Sequence, residues 1–324
     1  MKRREFIALL ASSAAWSRVA RAQQPAPVIG LLTAIDMADW AANGVRDGLG
    51  EAGYAEGRNL TIVTRSAEGH FDRLPALAAD LVNSKVAVIL ASSSPVPARA
   101  AKAATSSIPI VFAYGGDPVA DGLVERLNRP EGNVTGATFI GAALIAKRME
   151  LLQQIVPNAK DVALLVNPNG TLAERQAGEA REAAGKLGEH LHVIPTTNGA
   201  ELDAAFVTMS QSKLDAFVVS TDPFFGFFAR DRVAALSRRY KIPGIYNGGD
   251  EVAAGGLISY GPNKADTWRQ AAIYVGRILK GEKPADLPVM QPAKFETVIN
   301  LKTARELGLA IPPTLLGLAD QVIE

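Results

Sequence analysis

The chain has 324 residues, with 34 basic against 33 acidic side chains and no cysteine. The lack of cysteine excludes a disulfide scaffold, a thiolate nucleophile, a cysteine–zinc site and lipid attachment through an N-terminal cysteine. With residues 1–22 set aside, the balance is 29 basic to 32 acidic, which leaves no electrostatic footprint for a nucleic-acid partner.

In chain order, Lys2-Arg3-Arg4 is a basic opening, Phe6 to Trp16 an apolar stretch, and Ala20-Arg21-Ala22 a small-x-small cleavage site. This pattern predicts a cleavable signal peptide over residues 1–22. The apolar stretch is too short to span a bilayer, so a released protein in a bacterial periplasm is expected. Arg3-Arg4-Glu5-Phe6-Ile7 also resembles a twin-arginine export signal, with the ordinary secretory route as the alternative. About 300 residues would remain, more than one hydrophobic core usually holds, which predicts two domains.

Strands are expected at Val28 to Ala34, Leu60 to Thr64, Val86 to Ala91, Ile108 to Ala113 and Asn133 to Thr138. Helical segments lie between them, one marked by the stripe Leu74, Leu77, Ala78 and Leu81. A second series follows a helix over Lys147 to Val156. Its strands are Val162 to Val166, His192 to Pro195, Ala216 to Ser220, Ile242 to Tyr246, Gly256 to Tyr260 and Phe295 to Asn300. Gly261-Pro262-Asn263 should start a helix with Trp268, Ala271, Ala272, Val275 and Leu279 inward, and a terminal helix should precede Ile311-Pro312-Pro313. Alternation of this kind predicts an α/β fold with parallel sheets covered on both faces. There is also an internal echo. Ile108-Pro109 leads to Tyr114-Gly115-Gly116-Asp117, and Ile242-Pro243 leads to Asn247-Gly248-Gly249-Asp250. Ligands in parallel α/β sheets sit beyond the carboxyl ends of strands. The echo therefore reads as two lobes facing one cleft, although Gly-Gly-Asp is also an ordinary turn.

Several phrases carry a resemblance. They include Val28-Ile29-Gly30-Leu31-Leu32, Phe71-Asp72-Arg73-Leu74-Pro75, Gly116-Asp117-Pro118-Val119, and Leu127-Asn128-Arg129-Pro130-x-Gly132-Asn133-Val134-Thr135-Gly136. Lys147-Arg148-x-Glu150-Leu151-Leu152, Leu165-Val166-Asn167-Pro168-Asn169 and Gly255-Gly256-Leu257-Ile258-Ser259-Tyr260-Gly261-Pro262-Asn263 extend it across the chain. The sequence resembles the periplasmic substrate-binding subunit of an ABC importer, in the group that includes tryptophan-type binding proteins. That resemblance implies two Rossmann-like lobes, the type I periplasmic binding protein fold and three interlobe crossings. Lobe one would comprise residues 23–138 plus 261–285, and lobe two 139–260 plus 286–324. It also implies that the lobes close about a small solute, which passes to a permease in the inner membrane. The expected protein is monomeric, needs no cofactor or metal, and binds no nucleic acid. A periplasmic ligand sensor partnering a membrane receptor would look the same in sequence.

The candidate ligand contacts lie at predicted strand ends. Ser93 and Ser94 precede a predicted helix at Pro97 to Ser106, where hydroxyls and free N–H groups suit a carboxylate or simply cap the helix. With the resemblance, contact at one of these serines is favoured. Asp117, Asp222 and Asp250 could hold an ammonium group, or bond their own turns. Asn167 and Asn247 are similar strand-end residues, and the 247–250 stretch departs from the usual family pattern. Trp40, Tyr114, Tyr246 and Tyr260 could stack on a planar solute. Phe224, Phe225, Phe227 and Phe228 form either a cleft wall or a packed helix start. No arginine stands out at these loop tips. An amino acid is therefore the first expectation for the solute, with an uncharged or aromatic-acid solute behind it. An enzyme is disfavoured: the three histidines His70, His190 and His192 accompany no nucleophile or metal motif, and no nucleophile elbow, P-loop or dinucleotide fingerprint occurs.

Overall fold

The computed structural model describes residues 26–139, 144–170, 172–292 and 294–324. Two sheets divide it, each an open α/β layer with helices on both faces. The first has five parallel strands in the order β2-β1-β3-β4-β5. These are β1 (Val28–Thr33), β2 (Thr61–Ser66), β3 (Val88–Ser92), β4 (Ile110–Tyr114) and β5 (Val134–Thr138). Alternate residues of these strands feed two cores. Ile29, Leu31, Val88, Leu90 and Val111 meet α1 (Asp39–Glu51) and a helix from far along the chain. Leu32, Ile89, Ile110 and Phe112 meet α2 (Leu74–Asn83) and α3 (Pro95–Ala104).

The second sheet has seven strands, in the order β12-β11-β10-β9-β8-β6-β7. They are β6 (Asp161–Val166), β7 (His190–Pro195), β8 (Ala216–Val219), β9 (Gly244–Tyr246), β10 (Ile258–Pro262), β11 (Phe295–Asn300) and β12 (Gln321–Ile323). One face packs on α4 (Ile145–Ile155) and α5 (Ala173–Leu187). The other packs on α6 (Gly199–Gln211) and α7 (Arg230–Tyr240). The short α8 (Gly249–Ala253) follows β9.

The chain passes between the sheets three times. It leaves the first sheet between β5 and α4, returns between β10 and α9 (Lys264–Leu279), and leaves again between Met290 and β11. Met290 still belongs to the first sheet, since its backbone bonds Gly136 and Thr138. The distant helix against α1 is α9, which buries Trp268, Ala271, Ala272 and Val275 in that core. Its Asn263 cap accepts a hydrogen bond from Asp266 N. Glycines let α1 and α9 approach almost to backbone contact. A β-carbon on Gly44 would lie 2.5 Å from Ala265 O, and one on Gly48 would collide with Arg269 O.

Three expectations change. The second sheet is not wholly parallel, because β11 runs antiparallel to β10: the last crossing delivers the chain back to the sheet without an intervening helix. Helix α10 (Leu301–Leu307) is the expected terminal helix, but α11 (Pro313–Leu318) and β12 follow it beyond the prolines. Helix α3 begins at Pro95, two residues before the expected start, with Ser94 as its cap. Among the described residues, no helix is long and apolar enough to cross a membrane.

Candidate functional site

The carboxyl ends of the two sheets flank a cleft of about 740 Å³. Ser94, Pro95, Val96, Arg99, Gly115, Gly116, Asp121 and Phe71 line it from the first lobe. Asn167, Gln176, Thr221, Asp222, Phe224, Phe228 and Arg232 line it from the second.

On the first side, β3 ends in a sharp turn at Ser93, whose φ of 82° lies in the left-handed region that a non-glycine residue rarely enters. The turn lets Ser94 cap α3, its hydroxyl accepting from Val96 N at 3.4 Å. One turn into α3, Arg99 donates from Nε to Asp121 O at 3.0 Å and from Nη2 to Asp121 Oδ1 at 2.7 Å. The Asp121 side chain is 1% exposed. Tyr114, at the end of β4, donates its hydroxyl to Asp121 Oδ2 at 2.7 Å. Burial, and the charge of Asp121 beside it, push the Tyr114 phenol far above its usual range. Gly116 must be glycine here, because a β-carbon would come within 2.5 Å of the Tyr114 ring.

On the second side, Asp222 follows β8. Its Oδ1 accepts from Asn167 Nδ2 at 3.0 Å and from Phe224 N at 2.8 Å. Its Oδ2 would sit 2.5 Å from a β-carbon at Gly170, so a larger residue there would displace it. Burial raises the Asp222 carboxyl above its ordinary value, only partly offset by the two hydrogen bonds. Among the described residues, no lysine, arginine or histidine pairs with it.

A buried frame holds these strand ends. The Gln176 amide brackets the Thr221 peptide, donating to Thr221 O at 3.1 Å and accepting from Thr221 N at 2.6 Å. Thr221 Oγ1 donates to Asn247 Oδ1, and Asn247 Nδ2 donates to Ser220 O. Arg148, wholly buried, donates from Nη1 to Thr221 Oγ1 and from Nε to Tyr260 O. Burial lowers its guanidinium to about 10, which leaves it charged at neutral pH.

Contacts also cross between the lobes. Arg175, in the first turn of α5, reaches Asp117 at 3.5 Å. Phe71 and Phe228 approach with ring centroids 6.1 Å apart. At the crossing into α9, Lys264 Nζ lies 2.8 Å from Asp250 Oδ1 and 3.0 Å from Glu251 Oε2.

Of the residues singled out in the sequence, Ser94, Asn167 and Asp222 line the cleft together. Asn247 borders a void of about 20 Å³ that Asp222 also borders. Asp117 stands outside the lining; its Oδ1 accepts from Val119 N and Ala120 N, and its Oδ2 faces Arg175. Ser93 is buried and does not line the cleft. Tyr114 and Tyr246 are also buried, with Tyr246 packed under Gly256. Tyr260 stacks on Phe295 away from the cleft. Asp250 faces a separate groove of about 560 Å³ and pairs with Lys264. The Trp40 side chain lies outside the described residues. The phenylalanine cluster divides: Phe225 is core, while Phe224 and Phe228 face the cleft.

Sequence reasoning missed Arg99, Asp121, Gln176 and Phe71. It also missed the arginines altogether, since Arg99 and Arg232 both line the cleft, each ion-paired, with Asp121 and Asp203. Phe71 sits inside one of the family-like phrases, which was a usable signal. Arg99 and Gln176 sit inside regular helical patterns and give none.

A family model described as ABC transporter substrate binding protein matches residues 30–323. The tyrosine-binding protein of Clostridioides difficile (strain R20291) is 28% identical over 271 residues, covering 84% of this chain and 77% of that protein. The ABC domain from Streptococcus pneumonia, solved in complex with L-Trp, superposes with a TM-score of 0.81 at 28% identity, covering 92% of this chain and 99% of that one. A ligand-free, open substrate binding protein with adhesive properties from Clostridium difficile gives 0.70 at 25% identity, over 92% and 99% of the two chains.

Proposed function

The chain belongs to the ABC transporter substrate-binding protein family, a family of solute-binding proteins rather than enzymes, and from that premise we propose that it captures a zwitterionic aromatic amino acid. The observation that carries this reading is Asp222. A half-buried carboxylate in a cleft without a cationic partner among the described residues costs folding free energy. A solute ammonium would restore the missing charge through a charge-assisted hydrogen bond. Phe71, Phe224 and Phe228 supply apolar ring surface beside it, suited to an aromatic side chain. The tyrosine-binding relative and the L-Trp complex support the same solute class.

Binding then favours the closed arrangement of the lobes over an open one. The closed protein delivers its solute to a permease of the inner membrane, as a monomer in the periplasm. Residues 1–22 serve as the export signal.

The test is a thermal-shift screen of the chain from Gln23 onward against L-Trp, L-Tyr, L-Phe, aromatic acids, sugars and polyamines. An aromatic amino acid at one hundred times its dissociation constant is expected to stabilise the fold by ~2.7 kcal/mol. Shifts only with acids that lack an amine would remove the ammonium role of Asp222. No shift with any aromatic compound would overturn the reading.

Closure also makes a prediction at the rim. Asp117→Asn keeps the Oδ1 acceptor that caps its own turn and loses the charge facing Arg175. The pair is partly exposed, so its expected worth is small, up to ~1 kcal/mol. Stopped-flow release of the bound amino acid should quicken about two- to five-fold, with the association rate little changed. An unchanged release rate would show that the pair does not hold the lobes together.

A further inference from the structure

We infer that Arg99 is the carboxylate receptor of the cleft, held in place by Asp121 and Tyr114; this rests on the amino-acid reading above. The guanidinium carries five N–H donors in one plane. Asp121 takes Nε through its backbone oxygen and Nη2 through Oδ1, which leaves the Nη1 donors uncommitted. The Arg99 side chain is 48% exposed although its anchor is 1% exposed, and it borders the cleft beside the first turn of α3. The anchor is itself fixed, because Tyr114 donates to the second oxygen of Asp121. The chain Tyr114, Asp121, Arg99 thus pins a planar donor fork at the cleft wall, in the orientation that suits a carboxylate.

Arg99 belongs to the first lobe and Asp222 to the second. A zwitterion bound between them has its carboxylate on one lobe and its ammonium on the other. Only the closed protein satisfies both charges, so these two side chains turn solute charge into closure. Tyr114 then acts as a positioning residue. It need not touch the solute, yet it fixes the residue that does.

Calorimetric titration of the wild type, Arg99→Gln, Arg99→Lys and Tyr114→Phe tests this, with two probe pairs: L-tyrosine and L-tyrosinamide, L-tryptophan and L-tryptophanamide. The amides keep the ring and the ammonium and replace the carboxylate by a neutral group, so they also control for folding. Arg99→Gln is expected to weaken the acids about ten- to a hundred-fold and the amides less than about two-fold. Arg99→Lys should restore little of the loss, since an ammonium lacks the planar fork. Tyr114→Phe should weaken the acids in the same selective way by a smaller factor. Equal weakening of acid and amide, or no weakening of either, overturns the assignment to Arg99. A wild type that binds none of the four probes overturns the amino-acid reading itself.

Discussion

Replacing Asp222 with asparagine is expected to make the ligand-free protein more stable and its solute binding about 10- to 150-fold weaker. The two effects have one cause. The substituted amide would keep the acceptor that Asn167 Nδ2 and Phe224 N now use, while removing a charge that no described cation balances. A gain of ~0.5–2 kcal/mol is in the range for relieving a functional site of such a cost. The pH dependence follows from the raised carboxyl. Relative to the unfolded chain, a group with a raised folded value contributes stability that is present below its ordinary value, 3.8. That contribution is lost as pH rises through the raised value. The asparagine variant should therefore outlast the wild type at neutral pH and match it below about pH 4. Melting curves at pH 4 and pH 7.5, with calorimetry of the amino acid, read all of this. A variant that binds normally would remove Asp222 from the site.

Lys264→Met is expected to cost ~3–5 kcal/mol, the usual penalty for leaving a buried ion unpaired. Lys264 enters α9 just past the second crossing and is surrounded by residues of the other lobe. Gly248 makes room for it, since a β-carbon there would lie 2.9 Å from Lys264 Cε. Its partner Glu251 is 1% exposed. Burial, with Asp250 adding repulsion, raises the Glu251 carboxyl to about 7 even with the lysine present. Glu251 thus favours the fold below its ordinary value, 4.5, and that benefit is lost as pH rises through about 7. Without Lys264 the carboxyl would rise further. The variant should therefore be most damaged near pH 8 and least near pH 5, and adding Glu251→Gln should recover much of the loss at pH 8. Denaturant unfolding at both pH values measures this. A deficit independent of pH would mean that Lys264 acts through packing alone.

The strands were legible because their apolar runs are short, bounded and buried; β1, β4 and β6 appear within a few residues of where the runs place them. Strand direction was less legible. Nothing in Phe295 to Asn300 says that it pairs antiparallel, because direction is set by where the chain re-enters the sheet. At the site, Asn167 and Asp222 were readable as polar residues at strand ends. Tyr114 and Tyr246 occupy the same kind of position, yet their rings tuck under Gly116 and Gly256. A strand-end aromatic looks identical in sequence whether it stands in a cleft or lies beneath it. The two Gly-Gly-Asp turns make the same point. The first accommodates a tyrosine ring and caps a turn; the second accommodates a lysine from the other lobe. What separates them is a partner far along the chain, which local pattern does not carry.

The glycine-mediated pairing of α1 with α9 also bears on the order in which the molecule can be assembled. Arg269 and Glu51, bonded across that pair, are 218 residues apart. Until α9 has been synthesised, Ile29, Leu31, Val88, Leu90 and Val111 have α1 on that face but lack the cover of Trp268, Ala271, Ala272 and Val275. The second sheet waits as well, for β11, α10 and α11, which bring Ile299, Ala304 and Leu315 to its core. Neither half can complete its core before the residues from α9 to α11 are in place. Contacts so distant in sequence close slowly and leave apolar surface open meanwhile. The stretch from α9 to α11 therefore acts as a shared keystone: one late run of sequence contributes to the cores of both halves.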